Sequence, residues 1–372
     1  MTTRSGMRIA VAVAGVLACV AAQAADGPEI KAEDVDSFRK YPKVALVGYA
    51  VEYQNFLVKA SSSWGSSSSS ITEFTLAGVS PAAMQAATDR LYADLMARLE
   101  ASGVEMVKLD EIRQDPLYAN LKGEKPEPSP IEVGFTHDKS KGFKNSKALV
   151  FSPAGLPWHR PSTNEESTRF SAADKMGATL SRAFSGQKEV REVEDELAKA
   201  RGITLLKAYY VVGFGKAGGS VSELTRFNFL NNRSEKTVSA SANAAAELYL
   251  DKTDTRLALR VPGETSSFRL RNNSSPSADG SGFFRLDKKL SAGADFAVEA
   301  PQSSNSTETQ VGNAVSVTLA VIGGLAGMRG VGTTSTQEFT VTADEKRYID
   351  TVEAMVRSVQ GEFVDRLKAA RQ

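Results

Sequence analysis

The sequence has very little of the chemistry on which most metal and disulfide sites depend. Its 372 residues include one cysteine, Cys19, and two histidines, His137 and His159. One cysteine cannot form a disulfide within the chain, and the histidines stand in loop-like THD and WHR contexts that do not match the spacing of zinc ligands. We therefore predict no metal site and no cofactor.

An excess of charge of either sign is also missing. The 45 basic and 44 acidic residues leave a formal net charge of +1. A protein whose main partner is a nucleic acid usually carries a clear basic excess. The apolar and charged fractions, 41% and 24%, are those of an ordinary globular protein. We therefore predict a globular protein that does not bind nucleic acid.

Long hydrophobic runs are absent except at the N-terminus. There, Arg4 and Arg8 precede the apolar stretch IAVAVAGVLACVAA, which is followed by AQA. The stretch is shorter than the ~20 residues that a membrane-spanning helix needs, and a small-residue cleavage site follows it. This pattern predicts a signal peptide over 1–24, cleaved between Ala24 and Ala25, and export to the periplasm.

A lipoprotein signal is the alternative interpretation of the same segment. Cys19 would then be acylated, and the protein would be anchored to the outer membrane. Lipoprotein signals favour a small or β-branched residue two positions before the cysteine, where this chain has Leu17. Because AQA is the better cleavage site, the periplasmic protein remains the prediction.

The stretch YYVVGFGKAGG, 209–219, places Gly213, Gly215 and Gly218 at the spacing of a dinucleotide-binding loop. Such a loop needs a helix after its last glycine, because the helix N-terminus faces the pyrophosphate. Here SVSELTRFNFLNN follows, whose β-branched and aromatic residues predict a strand. We therefore interpret the glycines as a strand end or bulge and predict no nucleotide binding.

No other catalytic motif is present. The second glycine cluster, GGLAGMRGVG, lacks the Lys-Ser/Thr pair of a phosphate-binding loop, and no G-x-S-x-G esterase motif occurs. A triad of serine, histidine and carboxylate needs no fixed spacing. A hydrolase whose site includes His137 or His159 therefore stays open as an alternative to a protein without enzymatic activity, which is the prediction.

Two long amphipathic helices are predicted. One follows Ser80, a capping residue, has Pro81 at its first position and ends at Gly103, while the other spans 344–370. The run EVREVEDELAK is interpreted as a further helix with a solvated face of paired charges. The apolar faces of the two long helices are Met84, Thr88, Leu91, Leu95 and Leu99 in the first, and Tyr348, Val352, Val356, Val359, Phe363 and Leu367 in the second.

Residues 25–372 are predicted to form a single domain with loop-rich insertions. These are the serine-rich segment 60–72, the proline-containing segment 123–165, and 263–313, which is rich in Ser, Asn, Gly and Asp. The short apolar runs KVALVGYAV and ITLLKAYYVVGFG predict buried strands.

The order of these elements resembles that of the CsgG-like superfamily of curli-secretion subunits. KVALVGYAV is similar to its first strand, TDRLYADLMARLEASGVEMVKLDEI to its helix, strand and next helix, and LAKARGITLLKAYYVVGFGKAGG to its following helix and glycine-containing strand. Relatives with such a core include penicillin-binding-protein activators and the N-terminal domain of TolB. Element order and resemblance together predict an α+β fold with an α/β-like core: a mixed, largely antiparallel sheet of about five strands, packed helices, a long C-terminal helix and long polar loops.

The resemblance also implies a function. Known members are mostly binding or assembly proteins, so the prediction is an exported, non-enzymatic factor that binds another envelope protein or assembly. Membrane association is not predicted. Two alternatives stay open: a periplasmic hydrolase with a spatially assembled site, and a subunit of an outer-membrane secretion pore.

The stretch VSVTLAVIGGLAGMRGVGT bears on the pore alternative, since in curli-type channels paired hairpins enter the membrane. Membrane strands of that kind alternate apolar and polar positions. SVTLAVIGG alternates poorly and is more typical of a strand buried on both faces. We therefore predict a core strand over 315–322 rather than a membrane hairpin. The core or interaction residues of this segment are Leu319, Val321, Ile322, Leu325 and Met328.

Overall fold

A computed structural model describes most of the chain beyond the predicted signal peptide. The cleavage site at Ala24 and Ala25 lies outside the described residues, as do Cys19, His137 and His159. The described residues are 27–33, 35–62, 69–121, 129–135, 146–154, 156, 190–228, 233–252, 254–262, 281–303, 308–311, 314–324 and 334–372.

Within these described ranges, one sheet of 15 strands is the centre of the fold. The strands are β1 (Ile30–Glu33), β2 (Lys43–Ser62), β3 (Ser69–Ala77), β4 (Glu105–Met106), β5 (Ile131–Phe135), β6 (Ser146–Phe151), β7 (Thr204–Asn228), β8 (Arg233–Leu250), β9 (Arg256–Arg260), β10 (Ser281–Leu286), β11 (Leu290–Gly293), β12 (Gln302–Ser303), β13 (Glu308–Val311), β14 (Ala314–Gly324) and β15 (Thr334–Thr342). The pairs β2–β4, β2–β7 and β3–β15 are parallel and the other strand pairs are antiparallel. The predicted mixed, largely antiparallel sheet is thus confirmed, but it has many more than five strands, because segments predicted as loops also pair.

Five α-helices pack on this sheet within the described residues. None of them combines the length and the apolar character that a bilayer-spanning helix needs. They are α1 (Pro81–Ala101), α2 (Leu109–Arg113), α3 (Pro116–Leu121), α4 (Val190–Arg201) and α5 (Glu345–Arg371), and a 3₁₀ helix (Asp36–Lys40) precedes β2.

The two long helices, α1 and α5, confirm their predicted ends and apolar faces. The Ser80 hydroxyl accepts a hydrogen bond from the Ala83 N–H at 3.2 Å, and Gly103 follows α1 with a φ of 75°. Every predicted apolar position on both helices is buried. The helices lie side by side on one face of the sheet, and the Glu345 carboxylate accepts a hydrogen bond from the Ser80 N–H at 2.7 Å.

The opposite face of the sheet is covered by α2, α3 and α4, which pack on Ala45, Val47 and Leu205. Here the prediction of a solvated face for EVREVEDELAK is wrong. Glu194 of α4 is 1% exposed, because the sheet supplies a cationic partner: Lys207 Nζ donates to the Glu194 carboxylate at 2.9 Å. The body of the protein therefore has helices on both faces of the sheet.

Two hairpins extend the sheet beyond this body. β2 and β7 pair in parallel as far as Tyr53 and Val212. Beyond these residues, β2 pairs with β3 and β7 with β8, while β15 and β14 add a third strand to each hairpin. We call the strands beyond Tyr53 and Val212 the hairpin arm. With 25 residues, β7 alone corresponds to roughly 80 Å of extended chain.

The predicted loop insertions contain more regular structure than expected. The insertion predicted over 60–72 is wrong at both ends, because β2 continues to Ser62 and β3 begins at Ser69, where serines of the two strands pair with one another. The insertion 123–165 contains the β5–β6 hairpin, and 263–313 contains β10 to β13. The loop prediction failed in these segments because their polar residues lie in strands that pair with other strands.

The strand predicted over 315–322 is confirmed as part of β14, which pairs with β8. Leu319 lies opposite Ala242, a residue that is 1% exposed. The structure describes only the backbone of β14, so the burial of Leu319, Val321 and Ile322 stays a prediction. Outside the described residues lie Leu325 and Met328.

Candidate binding surface: the hairpin arm

The glycine-rich stretch 209–219 lies inside β7 and is followed by more strand rather than by a helix. The strand predicted after Gly218 is thus confirmed, and the ladder with β8 is irregular between Gly213 and Gly215, as in a bulge. The chain after the glycines supplies no helix N-terminus for a phosphate. The glycines instead lie against side chains of the arm and its base: Gly213 against Tyr249, Gly215 against Phe74 and Gly218 against Asn243.

Glycine and alanine form the face of the β7–β8 hairpin that meets the β2–β3 hairpin, which we call the inner face. A Cβ on Gly215 would lie 2.3 Å from a ring carbon of Phe74 and 2.8 Å from the Ala245 carbonyl oxygen. The small residues therefore let the two hairpins approach closely. The inner-face residues are Gly215, Ala217 and Gly219 on β7, and Ala242, Ala244 and Ala246 on β8.

Hydroxyl groups of the β2–β3 hairpin bind main-chain carbonyls of the other hairpin across this close contact. A serine or threonine side chain on one hairpin can reach a main-chain carbonyl of the other only if the two hairpins lie close together. Large apolar side chains between them would keep the hairpins too far apart. We call these three hydrogen bonds the hydroxyl clasp. They join Thr72 Oγ1 to the Gly218 oxygen at 2.7 Å, Ser61 Oγ to the Gly219 oxygen at 2.8 Å, and Ser70 Oγ to the Ser241 oxygen at 3.4 Å.

The other face of the β7–β8 hairpin, the outer face, is polar. Lys216, Ser220 and Asn243 are exposed there, and Ser220 Oγ lies 2.8 Å from Ser241 Oγ across the ladder. A Cβ on Gly218 would lie 2.3 Å from Asn243 Oδ1, so this glycine leaves room for the asparagine beside it. The described part of the outer face thus presents amide, hydroxyl and ammonium groups to solvent.

A charged cluster ends the outer face where the arm joins the body. Lys216 and Lys289 each form an ion pair with Glu247, and Ser291 Oγ donates to the same carboxylate at 2.7 Å. Lys289 also lies over the Tyr249 ring, 4.8 Å from its centroid. Burial raises the pKa of Glu247, but the hydrogen bonds from Lys216, Lys289 and Ser291 outweigh it and lower the pKa to about 2.

We expect Glu247 to make the protein less stable in acid. Its pKa is about 2 in the folded protein and near the ordinary 4.5 when unfolded, so its contribution is present above pH 4.5 and is lost as the pH falls from 4.5 towards 2. Urea unfolding at pH 5.5 and pH 3 should show a fall in stability that is about 1–2 kcal/mol smaller in Glu247→Gln than in the wild type. An equal fall in both proteins would show that the cluster does not favour the ionised carboxylate.

The body also contains a buried carboxylate, Glu52, on β2. Glu52 is 0% exposed and accepts a hydrogen bond from the hydroxyl of Tyr209, which lies on the adjacent strand β7. A substrate could not reach this carboxylate without rearrangement of the protein, so the pair is assigned to packing. In the part of the chain that the structure describes, no three His, Cys, Asp or Glu residues are placed to hold a metal ion.

Of the residues that the sequence singled out, the glycines lie on β7 of the hairpin arm, and Leu319, Val321 and Ile322 lie on β14, the third strand of the same hairpin. The histidines of the hydrolase alternative, His137 and His159, lie outside the described residues, so that alternative stays a prediction. The arm itself was missed, although SSSSSITEFT and SASANAAAELYL contain the small and polar residues that build it. Comparisons with protein-family models, with curated proteins and with solved structures each found no match.

Proposed function

We propose that the protein is an exported binding or assembly factor without enzymatic activity, and that it contacts another envelope component through the outer face of its hairpin arm. The signal peptide predicted over 1–24 supports the compartment. The resemblance of the element order to the CsgG-like superfamily supports the class of function, and remains a prediction.

The observation that carries the proposal is the exposed polar surface on β7 and β8. β7 continues to Asn228, well past its last pair with β2 at Val212. The exposed Lys216, Ser220 and Asn243 bury little apolar area, so they add little to the folding of the chain itself. They do offer hydrogen-bond donors and acceptors to a second molecule.

The chemistry of this surface indicates the kind of contact. Among the residues whose side chains the structure describes, which on β7 extend to Ser220, Val298 is the only large apolar one that is clearly exposed, and it does not belong to the arm. The contact that we propose at Lys216, Ser220 and Asn243 is polar, with hydrogen bonds to Asn243 and Ser220 and a charge contact at Lys216. Interfaces of this composition are typical of partners that also exist apart.

The proposal is tested by capture of partners from intact cells. We expect reversible crosslinking, followed by affinity purification and mass spectrometry, to recover an envelope protein with the wild type and at least tenfold less of it with Asn243→Arg, because the arginine blocks the outer face. Ser358→Arg is the matched control, since Ser358 is exposed on α5 and the change in charge is the same. Equal recovery with both variants would contradict the proposal.

A further inference from the structure

The contact between the two hairpins of the arm changes in character along its length. Near the body it is aromatic: Phe74 and Phe214 are both fully buried, and their ring centroids are 5.0 Å apart. Beyond Phe74 the β2–β3 hairpin contributes Thr72, Ser70 and Ser61, the residues of the hydroxyl clasp. The body end of the contact is therefore apolar. In its outer part, the hydroxyl groups of the clasp face the glycine and alanine residues of the inner face.

The two parts differ in the free energy that they contribute. Burial of two phenylalanine rings removes a large apolar area from water. Glycine and alanine remove little, and a hydroxyl–carbonyl hydrogen bond contributes only a small net stabilisation because water replaces both partners when it breaks. The outer part of the contact is thus much weaker than the part at Phe74.

Each hairpin keeps its own ladder if this contact is lost. In one, β8 lies between β7 and β14, and in the other β3 lies between β2 and β15. An isolated two-stranded hairpin is only marginally stable in water, and the third strand adds a second ladder to each. The main-chain pairs of one hairpin therefore do not depend on the other.

We propose that the outer part of the arm opens, with the β2–β3 hairpin parting from the β7–β8 hairpin beyond Phe74 while both ladders stay intact. Gly215, over which the Phe74 ring lies, is the pivot. Opening makes the clasp hydroxyls and the carbonyls of Gly218 and Gly219 accessible. The arm then has a second polar surface in addition to the outer face, and the clasp determines how often that surface is exposed.

Thiol labelling of single cysteines measures the opening. Ser70 is 2% exposed on the inner side of the arm, and Thr88 is 0% exposed under the sheet. Ser70→Cys gives up the longest clasp bond, 3.4 Å, so its labelling reports the opening that the Thr72 and Ser61 hydroxyls still restrain. In the full chain with Cys19→Ser, we expect Ser70→Cys to react with a small thiol reagent at least tenfold faster than Thr88→Cys without denaturant, because local opening is more frequent than global unfolding. The rate at position 70 should also depend less on urea, since little surface is exposed.

Removal of one clasp hydroxyl tests its role. Adding Thr72→Val should raise the labelling rate at position 70 about fivefold, as expected for one hydrogen bond, and leave the rate at position 88 unchanged. Ser220→Ala is the control, because Ser220 bonds within one hairpin. If Thr72→Val reduces the melting temperature of the whole protein, Ser61→Ala replaces it.

Two results would overturn the proposal. Equal labelling at positions 70 and 88, with equal dependence on urea, would mean that the arm opens only when the protein unfolds. A labelling rate at position 70 that neither clasp variant changes would mean that the hydroxyl groups do not hold the hairpins together.

Discussion

Gly215→Ala is expected to destabilise the protein by about 3 kcal/mol or more, at the upper end of the usual cost of overpacking. The added Cβ would lie 2.3 Å from the Phe74 ring and 2.8 Å from the Ala245 carbonyl oxygen. Phe74 is 0% exposed and packs on Phe214, so moving its ring away would disturb buried packing. The carbonyl belongs to the β8 backbone, which the ladder holds in place.

Urea unfolding of Gly215→Ala and Gly218→Ala measures this difference between the two faces. The Cβ of Gly218→Ala would meet the far end of the Asn243 side chain, which is exposed and can rotate away, so we expect a loss below about 1 kcal/mol. Similar losses in the two variants would contradict the assignment of Gly215 to a packed inner face.

Glu194→Gln is expected to cost about 3 kcal/mol, because it leaves buried cations without their full counter-charge. Lys207 Nζ lies 2.8 Å from Glu194 Oε1, and Arg260 Nε lies 3.9 Å from Glu194 Oε2. The side chains of Glu194 and Arg260 are only 2% and 5% exposed. Asp195, whose Oδ1 lies 3.2 Å from Arg260 Nε, would remain as the nearest carboxylate.

Chemical denaturation at neutral pH tests the buried pair against an exposed one. Lys43 and Glu105 form a 2.7 Å ion pair whose side chains are 54% and 52% exposed. Surface pairs of this kind contribute little, so Glu105→Gln should change stability by less than about 0.5 kcal/mol. A small loss in Glu194→Gln as well would show that α4 does not depend on its charged contact with the sheet.

Local sequence signals were sufficient for the two long helices. In α1, the Ser80 cap, Pro81 and the three-and-four spacing of apolar residues all indicate the same element, and the structure contains each of them. The same holds for α5, which is capped by Asp344. The Asp344 side chain accepts a hydrogen bond from the Arg347 N–H. Capping residues and apolar spacing involve residues within one or two helical turns of each other. They can therefore be recognised in a single sequence.

The arm could not be predicted in the same way, because its partners are distant in the chain. Thr72 looks like a polar residue at a loop margin until Gly218 is placed opposite it, 146 positions away. Glu194 likewise looks solvated until the sheet brings Lys207 beneath it. Strand register and contacts between distant segments decide which polar residues are buried. The residues next to Thr72 or Glu194 in the sequence do not reveal these contacts.

In the glycine stretch, the spacing of the glycines and the residues that follow them indicate different structures. The spacing of Gly213, Gly215 and Gly218 drew attention to a site for a nucleotide, and the residues after them indicated a strand. The strand end or bulge expected there corresponds to a register irregularity between Gly213 and Gly215. The glycines face opposite sides of the hairpin: Gly215 meets Phe74, and Gly218 meets Asn243 of β8. Their spacing in the sequence does not indicate this difference.

Site-specific photo-crosslinking in intact cells is the most direct test of the central claim, that the outer face of the arm binds another envelope component. A photoreactive amino acid would replace Asn243 on the arm or Ser358 on α5, both of which are exposed. We predict a discrete adduct with an envelope protein from position 243 and none from position 358. Adducts only from position 358, or none from either position while the protein is folded and exported, would contradict the claim.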